Sequence, residues 1–135
     1  MKIELKSVKT SNTLEQQYSK VLEEKKEFLD AVIFGDKDKI AEEACDYLQA
    51  LKTYSDMRII NPKYRFDKVS IEFDITNSKY LSIFMIMNNE SGLGIFCKYL
   101  FNFINNLGIN PEEAWANHLK KMESRGWAER TKFEV

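Results

Sequence analysis

Four acidic residues stand in two pairs of matched spacing, Glu24 with Glu27 and Glu43 with Asp46. Residues three apart on an α-helix project from one side a turn along, so each pair can aim its oxygens at a common point. Were two such helices to pack antiparallel, the four carboxylates would converge, and a hard, oxygen-seeking divalent cation would relieve their repulsion. The pattern therefore points to a metal site holding Mg2+, with Mn2+ as the alternative ion. In a chain with 21 acids, however, Glu-x-x-Glu spacings also arise by chance on solvated helix faces. Where each acid lies on its helix decides between the two.

The elements that must position these acids are legible around them. Leu14 to Phe34 reads as an amphipathic helix, with Leu14, Tyr18, Val21, Leu22, Phe28, Leu29, Val32 and Ile33 forming one stripe at helical spacing. Gly35 stops it, and Asp36 can cap a second helix from about Asp38 to Met57, whose buried side is expected to carry Ile40, Ala44, Tyr47, Leu48, Leu51 and Tyr54. So short a connection forces antiparallel neighbours. At ~100° per residue, Glu24 and Glu43 each lie roughly 90° from the middle of their own stripe, whereas Glu23 and Glu42 point nearly opposite and read as solvated. The two pairs thus occupy matching borders of facing helices.

The rest of the chain supplies a core and few competing chemistries. Its 135 residues suit one domain, and the charged opening MKIELKSVKT argues against a secretory leader. The longest aliphatic stretch, around Leu81 to Met87, is too short to span a bilayer. Cys45 and Cys97 form no close-spaced motif and His118 is the only histidine, which disfavours zinc; reduced thiols fit a cytoplasmic setting. With 20 basic against 21 acidic residues there is no electrostatic case for nucleic acid. Pro62 breaks any helix, while Val69, Ile71, Phe73 and Ile75 alternate with polar residues, which predicts a short extended or β insertion around 69–75. Ile3, Leu5 and Val8 are its one candidate partner, giving at most a small ribbon. Lys79 to Leu107 suits a largely buried helix interrupted near Gly92 and Gly94, and Asn110-Pro111-Glu112-Glu113 starts a last helix that should run to Arg125 and end at Gly126. The fold expected is all-α, a four- to five-helix bundle.

The run LEEKKEFLDAVIFGDKDKIAEEACDYLQA, residues 22–50, resembles the signature of the all-α nucleoside triphosphate pyrophosphohydrolases: the MazG-like proteins and their relatives, the dimeric dUTPases, dCTPases and phosphoribosyl-ATP pyrophosphohydrolases. Their Glu-x-x-Glu, interval, Glu-x-x-Asp pattern falls here on Glu24, Glu27, Glu43 and Asp46. The match covers about a fifth of the chain. The run LGINPEEAWANHLKKMESRGW, residues 107–127, is similar to the end of many small phage-type members, whereas Arg58 to Asn77 has no counterpart.

The resemblance implies Mg2+-dependent hydrolysis of a nucleoside triphosphate between the α and β phosphates by a metal-activated water. It assigns Glu24, Glu27, Glu43 and Asp46 to the metal; of these, Glu27 and Glu24 are the catalytic candidates, and Glu27 is the first choice to accept the water's proton, with pure ligation as the alternative. Phosphoryl chemistry asks chiefly for position and charge compensation, so the absence of a paired Ser or Cys nucleophile is no objection. On the last helix, Lys121 and Arg125 could grip the outer phosphates, with Lys120 and His118 as weaker candidates; the plain alternative is that they complement the helix dipole. Asn117, Asn77 and Lys25 read more simply as solvated or snorkelling, and Trp115, Trp127 and Cys45 as packing residues. The apolar third helix predicts self-association, and the resemblance implies a homodimer or homotetramer. Two competing readings stand beside this one: a non-catalytic helical oligomerisation or partner-binding module, and a specialised dUTPase or dCTPase on the same fold.

Overall fold

The computed structural model describes residues 2–5, 10–58, 69–72 and 93–126. These form an all-α bundle of four helices, α1 (Leu14–Phe34), α2 (Lys37–Arg58), α3 (Leu93–Asn106) and α4 (Pro111–Ser124), with a two-stranded ribbon of β1 (Lys2–Leu5) and β2 (Val69–Glu72). The strands pair antiparallel, Ile3 opposite Ile71 and Leu5 opposite Val69, so the ribbon joins the two alternating runs of the sequence. Expectations for Val8, Pro62, residues 73–75, Asn77, the Lys79 to Gly92 part of the third helix, and Trp127 lie outside the described residues. No helix among the described residues is long and apolar enough to cross a membrane.

Helices α1, α2 and α4 begin where their caps dictate. Thr13 Oγ1 accepts from the backbone N–H of Gln16 while Gln16 Oε1 accepts from that of Thr13, a reciprocal box that satisfies two orphan donors at the start of α1. Asp36 Oδ1 accepts from the Lys39 N–H at the start of α2, and Asn110 Oδ1 accepts from the N–H groups of Glu112 and Glu113 at the start of α4. Gly35 ends α1 in extended backbone, φ −87°, so the left-handed conformation is not what demands it. A Cβ there would stand 2.8 Å from the Ala31 carbonyl oxygen, and that close approach is the reason for glycine.

The hairpin of α1 and α2 is antiparallel: Gln17 donates to the Ala50 carbonyl near one end, and Phe28 meets Tyr47 with ring centroids 6.0 Å apart towards the other. The buried line of α1 is Gln17, Val21, Glu24, Phe28 and Ala31, rotated from the stripe read in the sequence. Leu14, Tyr18, Leu22 and Ile33 of that stripe stand exposed, and Leu29 and Val32 are half-buried. α2 is buried nearly all round in its second half, and α3 packs Phe96, Cys97, Leu100, Phe101, Phe103 and Ile104 into the core. Edge-on aromatic contacts knit the layers: Tyr47 to Phe96, Phe28 to Phe103 and Phe101 to Trp115.

Cys45 and Cys97 are both buried packing residues. Burial pushes both thiols up, with the charge of Asp46 adding to it at Cys45, which suppresses the reactive thiolate. A thiol reagent at pH 8 is therefore expected to modify neither cysteine of the native protein and both in denaturant. Rapid native labelling would contradict this packing.

Candidate metal centre

The antiparallel hairpin brings the acids of α1 and α2 to one edge. One carboxylate oxygen from each of Glu24, Glu27 and Glu43 lies within 4.8 Å of the others, and Glu42, Glu43 and Asp46 form a second trio within the same limit. Glu43 belongs to both, so the acids make a continuous line rather than a single ring. Glu24 and Glu43 are only 7% and 6% exposed, Glu27 is exposed and Asp46 is half-buried. Glu24 sits in the buried line because α1 is rotated towards its polar side. Glu23 and Glu42 are exposed as their positions predict, yet Glu42 still reaches the second trio.

Three lysines answer four of these carboxylates. Lys20 Nζ stands 2.7 Å from Glu24 Oε1 and Lys39 Nζ 2.9 Å from Glu43 Oε1, each pair one turn apart on its own helix. Lys121 Nζ reaches across from α4 to Asp46 Oδ1 at 2.7 Å and to Glu42 Oε1 at 3.6 Å. Each lysine engages one oxygen of its buried partner, and the second oxygens of Glu24 and Glu43, both Oε2, are buried without a hydrogen-bond partner. An unmet buried acceptor costs about 1–3 kcal/mol, and more when charged. These two oxygens are hard donors of the kind that Mg2+ and Mn2+ take, with Glu27 in the trio of Glu24 and Glu43 and Asp46 in that of Glu42 and Glu43.

The titration of the site follows from these contacts. Partial burial, then the negative charges of Glu24 and Glu43, push the Glu27 carboxyl above its ordinary value. Hydrogen bonding to Glu24 and Glu43 respectively holds the Lys20 and Lys39 ammonium groups more firmly protonated. Burial is the largest influence on Asp46 and pushes it up, but His118 and Lys121 together outweigh burial and hold it below the usual carboxylate range.

Two clefts flank α4. One of about 250 Å³ is bordered by Gln17, Lys20, Glu24, Asp46, Gln49 and Arg125 among others; the second, of about 550 Å³, is bordered by Lys37, Glu42, Asn110, Asn117 and Lys121. His118 borders both. The smaller cleft touches the acidic line directly, and its amides are held in place: Gln17 Nε2 donates to Ala50 O at 3.1 Å while Gln17 Oε1 accepts from Asn12 at 3.0 Å.

The structure brings Glu24, Glu27 and Glu43 together as one trio, places Asp46 with Glu42 and Glu43 in the other, and adds Lys121 at the Asp46 end. Arg125 stands at the smaller cleft, whereas Lys120 is exposed and borders neither. Trp115 is buried in the core, Lys25 is half-buried, and Asn117 is exposed at the larger cleft. Lys20 and Lys39 are site residues that motif reading passed over, although each stands four residues before a matched acid, the spacing of a helical ion pair. The contact of His118 with Asp46 had no local signal, because it depends on α4 packing against α2. No protein-family model, curated protein or solved structure matches the chain.

Proposed function

We propose that the chain is a Mg2+-dependent nucleoside triphosphate pyrophosphohydrolase, cleaving between the α and β phosphates to release a nucleoside monophosphate and pyrophosphate. The observation that carries this reading is the pair of buried, unpartnered Oε2 atoms of Glu24 and Glu43 on facing helices, two acids that form one trio with Glu27, while Glu43 also belongs to the trio that holds Asp46. Burying charged oxygens without partners is costly, and a binding role accounts for that cost where a solvated face does not. Glu24, Glu27, Glu43 and Asp46 would hold the ion. Bound there, a divalent cation would compensate phosphate charge and make a nearby water more acidic.

The chain's own residues supply the rest. Glu27, exposed and with its carboxyl pushed up, accepts the proton of the attacking water as its oxygen bonds to phosphorus and the bridging α–β anhydride bond breaks. Lys20, Lys39 and Lys121 already lie along the acidic line. With a cation held by the carboxylates, these ammonium groups would be free to meet the triphosphate oxygens, together with Arg125 in the wall of the smaller cleft. The smaller cleft then receives the nucleoside, its Gln17 and Gln49 amides facing polar atoms of sugar or base. Leu14, Tyr18 and Leu22, three exposed apolar residues one turn apart on α1, favour assembly into a homodimer or homotetramer.

Lys39 is exposed, so Lys39→Ala should leave the fold intact and lower kcat/KM by roughly tenfold or more, the worth of a charge-assisted contact. Unchanged kcat/KM would remove Lys39 from the phosphate set. The reading as a whole is tested by incubating the protein with Mg2+ and each common ribo- and deoxyribonucleoside triphosphate and separating the products. Monophosphate from at least one nucleotide is expected. Diphosphate with free phosphate, or no turnover across the set, would overturn the assignment.

A further inference from the structure

His118 is 4% exposed, on the inner face of α4, where its ring stacks on Trp115 with centroids 4.7 Å apart and planes 24° from parallel. Nε2 lies 3.3 Å from Gln49 Oε1. Nδ1 lies 3.3 Å from Asp46 Oδ1, within charge-contact range yet off the line of a hydrogen bond, so this buried ring nitrogen has no hydrogen-bond partner of its own. Every contact described for Asp46, from His118 and from Lys121, goes to Oδ1. The ring also forms part of the wall of both clefts, with Gln49 in the lining of the smaller one.

We propose that His118 is a positioning residue for the metal centre: held by Trp115 and Gln49, it fixes Asp46 through Oδ1 and thereby aims Oδ2 at the acidic line. This rests on the metal-site reading above. The physical reason is that a free carboxylate rotates about two side-chain torsions. A ring anchored on its far side, with Nδ1 3.3 Å from Oδ1, restricts that freedom before the ion arrives, and the same ring ties the ligand to an amide lining the cleft. Loss of such outer contacts to a metal ligand typically weakens binding about 10–100-fold. Lys121 alone cannot replace it, because its ammonium is shared with Glu42 and sits on a flexible stem.

The two ring nitrogens allow a test that separates positioning from packing. Asn places an amide N–H close to where Nδ1 stands, whereas Gln places one close to Nε2. His118→Asn therefore keeps the Asp46 contact and loses that to Gln49; His118→Gln does the reverse, and both shorten the stack on Trp115. Mn2+ binding, read by electron paramagnetic resonance with no nucleotide present, is expected to weaken at least about tenfold in His118→Gln and no more than about threefold in His118→Asn. Helical circular dichroism in EDTA reports folding separately. Equal weakening in the two variants, or wild-type affinity in His118→Gln, would overturn the positioning role while leaving the metal site standing. Failure of the wild-type chain itself to bind Mn2+ would overturn both.

Discussion

Asp46→Ala is expected to remove Mg2+-dependent pyrophosphate release almost completely, by about 10³-fold or more, because a cation held in place supplies several kcal/mol of charge stabilisation in phosphoryl transfer. The loss should be one of chemistry and not of fold. Alanine is the best helix former and Asp46 is half-buried in the interior of a 22-residue helix, so helical content should be unchanged. Metal-free stability responds differently. Since the folded state holds the Asp46 carboxyl below its ordinary value of 3.8, its favourable contacts add stability above that value and lose it as the pH falls through the folded one. Asp46→Ala should therefore unfold at a lower temperature than the wild type at pH 7, with the gap narrowing towards pH 2. Full activity in the variant, measured as pyrophosphate released, would remove Asp46 from the site.

Mg2+ and a nucleotide added together should raise the melting temperature by about 10 °C when their complex is near a hundred times its dissociation constant. Binding to the native state alone contributes about 2.7 kcal/mol under those conditions, and each kcal/mol is worth roughly 3–5 °C in a domain of this size. The structure gives a reason for the effect to be cooperative. Lys20, Lys39 and Lys121 lie on carboxylate oxygens, so cation and triphosphate would each favour the arrangement that the other needs. Mg2+ alone should therefore give a smaller shift than the pair, and nucleotide in EDTA almost none. An unchanged melting temperature with both ligands would favour the reading of a non-catalytic helical module, in which the acids are only a solvated face.

The limits of α1, α2 and α4 were readable because each boundary is a local device: the Asp36 and Asn110 caps, the stop at Gly35 and the proline at position 111. The acid pairs were readable for a similar reason, since a three-residue spacing on a helix is a geometric statement by itself. What could not be read was the rotation of α1. Apolar periodicity placed Leu14, Tyr18 and Leu22 inwards, but the facing surface of α2 offers the Ala50 carbonyl to Gln17, and the helix turns to bury that amide beside Val21 and Phe28, carrying Glu24 inwards at a cost in charge burial. Tertiary hydrogen bonding outweighed the stripe. Lys20 and Lys39 were hidden by their ordinariness, as surface lysines four residues from an acid are common and usually worth little. Only the burial of Glu24 and Glu43 distinguishes them.

The most direct test of the acidic line as a metal centre is anomalous diffraction from crystals grown with Mn2+. The expected result is a peak at about 2.2 Å from oxygens of Glu24 and Glu43, the two that are buried without partners, with Glu27 or Asp46 completing the set. A well-ordered structure in saturating Mn2+ that shows Lys20 and Lys39 still on those carboxylates, and no anomalous peak between the helices, would contradict the account.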